Sequence, residues 1–354
     1  MVDAASPKKL KFSPRIGTHS GHFHADEALA VYLLRLLPTY SGSSVVRTRN
    51  QIQLDTCDIV VDVGGVYDPT LHRYDHHQRS FNATFPDRET KLSSAGLIYM
   101  HFGKAIIAQH TGLPVDHQDV QTLYIKLYQD FIEALDAHDN GISVYDPDSI
   151  ATVGLKKRFR DGSITLGSLV GDMNFSESNE TDDEDSRFGK ASNFIGEVFV
   201  RKLRFASQSW LPAREAVSKS YHSRFEVHPS GRIMALTNSG IPWKEHLHDL
   251  EEDVGRDSNE IFYVLYPESA TPGANWRVQC VPVSENSFQS RKPLPETWRG
   301  LRNSELDQIL RMDTEARALP RIPEGAIFVH ASGFIGGHKS REGAAAIASQ
   351  SLDM

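Results

Sequence analysis

Cysteine is almost absent from this chain of 354 residues, in which Cys57 and Cys280 lie more than 200 positions apart. This scarcity excludes a disulfide-stapled secreted fold and predicts a reducing, intracellular compartment. No apolar run reaches the roughly 18 residues of a membrane-spanning helix, so we expect no membrane partner. The segment "MVDAASPKKLKFSPRIG" lacks the apolar core of a signal peptide, and with Asp3 and one arginine it is a weak mitochondrial presequence.

The sequence also lacks an excess of positive charge, since its net charge is −8. Such a charge argues at first against a polyanionic partner. Six of the acidic residues, however, lie in "ESNETDDED" (177–185), and without them 38 basic residues face 40 acidic ones. Charge therefore neither supports nor excludes nucleic acid, and we predict an acidic, solvated surface loop near 175–187.

The first half of the chain alternates strand and helix patterns. "FSPRIGTH" and "CDIVVDVGG" are typical of strands, and the second is a continuous apolar run of the kind found in parallel sheets covered on both faces. "DEALAVYLLRLLP" and "SSAGLIYMHFGKAIIAQH" have helical periodicity. We expect an α/β fold whose polar clusters lie at the carboxyl edge of the sheet, where open α/β sheets bind ligands.

The second half has a different pattern. A helical stretch from about Lys190 to Ser220, with a break at Pro212, precedes the β-like segments "RFEVHPSGRIMALT", "EIFYVLYP" and "NWRVQCVPV". The chain closes with a strand, a glycine-rich loop and a helix in "AIFVHASGFIGGHKSREGAAAIASQSL". We therefore expect two domains, residues 10–205 and 206–354, the second being smaller and α+β.

Histidines and carboxylates gather at the strand and helix ends of the first half. Alone, Asp62 could cap a turn, and Asp136 and Asp139 could be the polar face of a helix. Together with imidazoles, these carboxylates suit Mn²⁺, Mg²⁺ or Zn²⁺, and one carboxylate can bridge two ions. The pattern indicates a binuclear hydrolase site. The residues concerned are His19, His22, His24, Asp26, Glu27, Asp62, Asp75, His76, His77, Asp136, His138 and Asp139.

The run "RYDHHQRSF" places Asp75, His76 and His77 in succession. Adjacent side chains point in different directions on any backbone, so a divided role is favoured, with one histidine on a metal ion and the other on the substrate. We interpret His138 as a partly exposed helical residue rather than a ligand.

Blocks along nearly the whole chain carry a family resemblance. They are "IGTHSGHFHADEALA", "DIVVDVGGVYDP", "RYDHHQRSF", "KLSSAGLIY", "DAHDNGIS", "SWLPAR", "PWKEHL", "SFQSR", "PLPETWRGLR" and "FVHASGFIGGH". By these blocks the chain resembles the melanocyte proliferating gene family of exonucleases, within the DHH phosphoesterase superfamily. The resemblance implies a two-domain DHH phosphoesterase-like fold with the active site in the interdomain cleft. Residues 10–205 would form the catalytic domain, with a mainly parallel sheet flanked by helices, and 206–354 the DHH-associated-like substrate-binding domain.

The resemblance also implies a chemistry. It predicts a phosphodiesterase that releases mononucleotides from RNA in the 3′ to 5′ direction by hydrolysis with two divalent ions, Mn²⁺ or Mg²⁺. Single-stranded DNA is the alternative substrate, and a homo-oligomer is left open. The expected location is the nucleus and the mitochondrion.

Site residues can be carried over by position. The resemblance implies metal ligands at His19, His24, Asp26, Asp62, His76 and Asp139. The first motif departs from the superfamily pattern, because the spacing has one extra residue and His24 replaces an aspartate. This departure leaves the metal preference open. Whether His22 or Asp136 joins the metal site is a separate open question.

Catalytic and substrate-binding residues follow from the same resemblance. Asp75 would orient a histidine, and His77 would face the substrate phosphate. A glycine-rich loop would hold an anion through Gly336, Gly337, His338 and Lys339, since glycine lets backbone N–H groups approach closely. The alternative for this segment is a tight glycine turn before the terminal helix. Arg291 is interpreted as a phosphate clamp or as a surface arginine.

Two other functions are weighed against the nuclease. "HFHAD" (22–26) imitates the His-x-His-x-Asp-His signature of metallo-β-lactamase-type hydrolases, but Glu27 replaces the final histidine. The third hypothesis is a catalytically inactive protein that binds RNA or a metabolite. The intact set of candidate ligands argues against it.

Overall fold

The computed structural model of the protein describes residues 13–156, 158–175, 183–255 and 260–354. The chain divides into two compact units, the first ending at Ser207 and the second spanning Gln208–Met354. Within the described residues, each unit contains a five-stranded sheet with helices packed against it. The predicted α/β class is confirmed.

The sheet of the first unit has the strand order β2-β1-β3-β5-β4. Its strands pair in parallel except for β4, which runs antiparallel to β5. The apolar run predicted as a buried strand is β3, and all three of its residues are buried. The strands are β1 (Arg15–Thr18), β2 (Ser44–Arg47), β3 (Ile59–Val61), β4 (Tyr67–Asp68) and β5 (Arg73–Tyr74).

Helices of the first unit form its core together with the sheet. Helix α1 packs against α3 and α8, and its Leu29 and Leu33 are fully buried. The contact between α1 and α8 is close, because Gly196 lies against the ring of Tyr32. The helices are α1 (Ala25–Arg35), α2 (Gln51–Leu54), α3 (Ser94–Thr111), α4 (Gln118–Leu127), α5 (Glu133–Asp139), α6 (Pro147–Val153), α7 (Leu166–Asp172) and α8 (Glu184–Phe205).

The second unit has a mixed sheet of order β6-β7-β8-β10-β9, in which only the pair of β6 and β7 is parallel among the described strands. Trp298, Tyr263 and Ile347 lie in its core. Its strands are β6 (Ile233–Ala235), β7 (Tyr263–Pro267), β8 (Trp276–Cys280), β9 (Ala326–Val329) and β10 (Ile335–His338). Its helices are α9 (Leu211–His222), α10 (Arg224–Val227), α11 (Lys244–Asp253), α12 (Asn303–Ala316) and α13 (Arg341–Asp353).

Two predictions for the second unit are wrong. "RFEV" is not a strand but the short helix α10, and the parallel pairing with β7 begins only at Ile233. The segment predicted as a glycine-rich loop contains β10, because Gly336 and Gly337 pair with β8 on one side and β9 on the other. Pairing on both sides holds these glycines extended, whereas Gly333, with a φ of +74°, occupies the preceding turn.

The acidic run begins a helix rather than forming only a loop. Asp183 caps α8 by accepting a hydrogen bond from the Ser186 N–H, and Glu184 and Asp185 both pair with Arg47. The part of the predicted loop at 176–182 lies outside the described residues. None of the helices in the described ranges combines the length and apolar character that crossing a membrane requires.

Gly196→Ala should lower the free energy of unfolding by about 1 to 3 kcal/mol, because an added Cβ would lie 2.0 Å from the rigid Tyr32 ring and overpack the contact between α1 and α8. Gly189→Ala on the same helix is the matched control. Nothing lies within 4 Å of a Cβ there, so better helix propensity should stabilise by up to about 1 kcal/mol. Urea denaturation of both variants gives the comparison, and equal stability would contradict this packing.

Candidate metal centre

Three neighbouring strands of the first sheet end in polar residues. His19 follows β1, Asp62 follows β3, and His76 stands two residues after the end of β5. Because β1, β3 and β5 are adjacent and parallel, their carboxyl ends meet at one edge of the sheet. The sheet topology therefore brings together side chains that are far apart in sequence.

Asp62 lies at the centre of this cluster. Its Oδ2 is 3.3 Å from Nε2 of His19, and its Oδ1 is 3.3 Å from Nε2 of His76. The hydroxyl of Ser94, in the first turn of α3, also donates to Oδ1 at 2.9 Å. The backbone of Asp62 is left-handed, with a φ of +58°, a conformation that aspartate tolerates better than most residues. This turn directs the carboxylate between the two imidazoles.

Helix α1 contributes a second carboxylate beside His19. Glu27 is fully buried, and its Oε1 lies 3.0 Å from Nε2 of His19. The same carboxylate accepts from the backbone N–H of His24, the N-terminal cap of α1, at 2.9 and 3.0 Å. A capping box thus fixes Glu27 in the site. The side chain of His24 is exposed and belongs to the same cluster of donors.

The other side of the site is formed by His76, Asp139 and Asp26. Nε2 of His76 lies 3.1 Å from Oδ2 of Asp139, the last residue of α5, and 3.9 Å from Oδ2 of Asp26. Asp26 is 2% exposed, yet neither of its carboxylate oxygens has a hydrogen-bond partner among the described residues. A buried carboxylate without a donor is costly unless a cation or a proton neutralises it.

Asp75 holds the second histidine of the pair. Its Oδ1 lies 2.7 Å from Nδ1 of His77 and accepts the His77 backbone N–H at 3.1 Å, while Oδ2 accepts the Gly65 N–H at 2.6 Å. The side chain of His77 is 64% exposed, whereas that of His76 is only 5% exposed. The two adjacent histidines therefore have different environments, as the sequence indicates.

The cluster shifts the ionisation of its members strongly. Burial would lower the pKa of His19, but Asp62 and Glu27 outweigh it and raise that pKa to about 10. Burial would likewise lower the pKa of His76, but Asp139 and Asp62 raise it to about 9. For Asp62, the two histidines overcome burial and hold its pKa below the usual range. Burial and the nearby carboxylates raise the pKa of Asp26 well above its usual value.

The donor atoms suit divalent cations. They form three groups in which the ligand atoms lie within 4.8 Å of one another. Asp62 is shared by two of these groups, and the unpartnered oxygens of Asp26 belong to the third. Mixed imidazole and carboxylate donors fit Mn²⁺, Mg²⁺ or Zn²⁺. The groups are His19, His24, Glu27 and Asp62; Asp62, His76 and His77; and His24, Asp26 and Asp139.

The two residues left open by the sequence lie outside these groups. The exposed ring of His22 lies 5.8 Å from that of His24, between centroids. Asp136 is fully buried and accepts hydrogen bonds from Ser93 and from the Gly96 N–H, and burial raises its pKa to about 7. Its carboxylate ties α5 to the start of α3, which positions neighbouring Asp139.

Residues predicted to bind the substrate from the second unit have structural contacts of their own. The guanidinium of Arg291 pairs with Glu251 at 2.7 Å, and its side chain is 5% exposed. His338 is buried, with Nε2 3.1 Å from the Pro323 carbonyl oxygen, and Gly336 and Gly337 are buried in β10. Lys339 is exposed. Substrate binding by these five residues stays a prediction, as does the interdomain position of the site.

A cavity of about 480 Å³ adjoins the donor cluster. All of its lining residues belong to the first unit. Sequence reasoning did not select Lys91, Asn140 or Gly167, which also line it, and it interpreted His138 only as a partly exposed helical residue. His138 is indeed exposed, and its ring lies against Gly167 of α7. The signal for Asn140 was its position directly after Asp139.

Comparison with known proteins identifies the family. The family model described as "Uncharacterised protein family (UPF0160)", with the short name MYG1_exonuc, matches residues 15–352. The chain belongs to the MYG1 exonuclease family. This result confirms the family resemblance drawn from the sequence blocks.

Relatives in this family match over almost their whole length. MYG1 exonuclease of Homo sapiens is 48% identical over 356 residues, which cover 98% of this chain and 88% of that protein. MYG1 protein YER156C of Saccharomyces cerevisiae is 45% identical, covering 97% and 96%. MYG1 protein C27H6.8 of Caenorhabditis elegans is 43% identical, covering 96% and 95%. No solved structure matches the chain significantly.

Metal binding should release protons, so affinity should rise with pH. His19 and His76, with pKa values of about 10 and about 9, are protonated near neutral pH, and an ion must displace those protons. Affinity for Mn²⁺ should therefore increase about tenfold per pH unit for each proton released, and level off above about pH 10. Calorimetry in two buffers of different ionisation enthalpy measures the release. His22→Ala should leave it unchanged, and a pH-independent affinity would contradict the assignment of these ligands.

Proposed function

We propose that the protein is a divalent-metal-dependent nuclease that hydrolyses phosphodiester bonds. The observation that best supports this proposal is the position of Asp62, whose two carboxylate oxygens each lie 3.3 Å from a different histidine. A carboxylate shared by two donor groups is the arrangement that a pair of ions requires. The exonuclease name of the relative in Homo sapiens supports the same activity. At the finer level we propose a 3′ to 5′ exoribonuclease that releases mononucleotides.

The residues of this chain would divide the work as follows. His19, His24, Asp26, Asp62, His76 and Asp139 would hold two ions, and buried Glu27 would join them beside His19. When bound, such ions polarise a phosphoryl oxygen and lower the pKa of water. The ends of strands and helices carry these donors, which is the kind of regular support that a precise metal site requires.

His77 also belongs to the donor group with Asp62 and His76, but its Nδ1 is already held by Asp75 at 2.7 Å, so this ring would contact the substrate. Its exposed ring lines the cavity, and its hydrogen bond to Asp75 raises its pKa, which favours the protonated imidazolium. A positioned imidazolium can donate to a non-bridging phosphate oxygen or protonate a leaving oxygen. Asp75 would act through His77 by orienting its ring. The N–H groups of Gly65 and of His77 in turn hold the Asp75 carboxylate in place.

The competing functions have less support. A metallo-β-lactamase-type site would use His22, but His22 lies outside the donor groups of the described residues. An inactive binding protein would not need Asp26, whose buried oxygens lack partners among the described residues. RNA preference, direction and a nuclear and mitochondrial location remain proposals that rest on the family.

Asp62→Asn should abolish hydrolysis while leaving the fold intact, because an amide cannot serve two cations as a shared anionic ligand. We expect activity to fall at least about a hundredfold, since even residues that only support a ligand contribute about ten- to a hundredfold. The assay follows digestion of end-labelled RNA and DNA oligonucleotides in the presence of Mn²⁺, Mg²⁺ or EDTA. It also shows which nucleic acid is degraded and from which end.

Asp116→Asn is the control for this substitution, because Asp116 is exposed and forms no hydrogen bond or ion pair among the described residues. It should keep full activity. Near-normal activity of folded Asp62→Asn would remove Asp62 from the site. If the unmodified protein degrades neither RNA nor DNA with any metal, the nuclease proposal fails.

A second experiment should distinguish the roles of the two adjacent histidines. His76→Ala should lower metal occupancy, because this buried ring lies among Asp62, Asp139 and Asp26. His77→Ala should retain the metal and lose turnover. Metal content by mass spectrometry and hydrolysis of labelled RNA give the two readouts, and equal metal loss in both variants would overturn the division of labour.

A further inference from the structure

The chain makes a long excursion at the rim of the cavity. Asn140, directly after α5, and Gly167, in the first turn of α7, both line the cavity. The described residues between them, 141–156 and 158–166, therefore leave the cavity at one end and return to it at the other. We call this segment the rim excursion. A ligand that extends out of the cavity beside Asn140 or Gly167 meets this segment.

The rim excursion exposes an unusual amount of apolar surface. Neither α6 nor the 3₁₀ turn Gly162–Ile164 within it contains a buried residue. Contiguous exposed apolar surface on a folded protein usually marks a binding site. Large side chains exposed here are Ile142 (46%), Val144 (92%), Tyr145 (69%), Val153 (70%), Leu155 (66%), Phe159 (73%) and Ile164 (76%).

One stretch of the segment, 156–160, concentrates positive charge, while Asp146, Asp148 and Asp161 lie to either side of it in the sequence. Lys156, Arg158 and Arg160 are exposed, and none of them pairs with a carboxylate among the described residues. Phe159 lies between two of these cations in the sequence. Cations interleaved with exposed aromatic rings are the combination by which proteins hold single strands, because phosphates contact the charges and bases stack on the rings.

We propose that the rim excursion binds the part of a single-stranded nucleic acid that lies outside the cavity. Lys156, Arg158 and Arg160 would contact its phosphates, and Phe159 and Tyr145 would stack on its bases. This inference rests on the proposed nuclease function and adds a substrate contact of the first unit. A nucleic acid is favoured as the occupant because the segment borders the cavity of the proposed nuclease site at both ends, and because exposed cations flank an exposed phenyl ring within it.

A further exposed aromatic residue lies near the donor cluster. Phe175, shortly after α7, is 72% exposed, and its ring lies 6.2 Å from that of His22, between centroids. His22 in turn neighbours His24 of the metal-donor groups. Stacking surface is thus present beside the donors as well as on the rim excursion.

The test compares substrate lengths in a triple variant, Lys156→Ala with Arg158→Ala and Arg160→Ala. Binding of a fluorescent single strand of about 20 nucleotides, measured by anisotropy in EDTA, should weaken at least about tenfold. The slope of log affinity against log salt should fall by about 2, because each phosphate contact to a single strand contributes about 0.7. Hydrolysis of a dinucleotide with Mn²⁺ should stay within about twofold, since so short a substrate reaches only the cavity.

Matched cations on α8 provide the control. Arg201, Lys202 and Arg204 are exposed near the far end of α8. The first residue of this helix, Glu184, accepts a hydrogen bond from the Gly21 N–H, beside the donor cluster. Arg201 lies 17 residues further along α8, which is about 25 Å away from that contact. Replacing all three with alanine removes the same charge and should change binding less than about twofold. An equal loss of binding in both triple variants would show that only the net charge of the protein matters, and it would overturn the proposal.

A single substitution tests stacking separately from charge. Phe159→Ala should weaken binding of the long strand about tenfold without changing the salt slope, and Phe159→Trp should restore it. If both excursion variants bind the long strand like the unmodified protein, the inference is wrong, whether or not the protein hydrolyses oligonucleotides. If the triple variant keeps binding but changes oligomeric state in light scattering, the surface belongs to a protein interface instead. Absent hydrolysis with intact length-dependent binding would sink the nuclease proposal alone.

Discussion

The first unit is organised around one buried electrostatic contact, that of Asp62 with His19 and His76. Each of these residues would be expensive to bury alone, because an isolated charge loses its hydration without compensation. Together they place two imidazoles on either side of one carboxylate, and the sheet supplies their positions. Asp26, Glu27 and Asp139 add oxygen donors around this contact, and mixed imidazole and carboxylate donors suit divalent cations. The parallel order of β1, β3 and β5 is what makes this contact possible.

Sequence patterns predicted the parts of the fold that depend on local order. The apolar run before Asp62 was recognisable because burial on both faces makes every residue of a strand apolar, and the helices were recognisable because burial on one face makes every third to fourth residue apolar. The same reasoning placed polar clusters at the carboxyl edge of the sheet, whereas the assignment of His76 and Asp139 as ligands came from the family resemblance and stays a prediction. Glu27 was counted in the candidate cluster but not among the ligands that the family resemblance implies, and capping alone also explains a glutamate in the first turn of a helix.

Failures of the sequence reasoning arise where partners far apart in the chain decide the outcome. Gly336 and Gly337 favour turns by themselves, but strand pairing on both sides keeps them extended, with Gly337 against the Arg277 guanidinium. The contact between Arg291 and Glu251 joins residues 40 positions apart, and nothing in the pattern around either residue indicates it. Whether a charged residue is buried depends on its partner as much as on its own segment of the sequence.

The capping box at the start of α1 couples two properties that are usually measured apart. The carboxylate of Glu27 closes the first turn of a helix at the centre of the core and also stands beside His19. Any replacement of Glu27 therefore alters helix initiation and the donor set in a single step. In a mutational scan, this position would show loss of protein and loss of turnover together, and neither signal alone could be attributed to catalysis. Evolution faces the same coupling, since a change of ligand chemistry at Glu27 must also satisfy the helix that it begins.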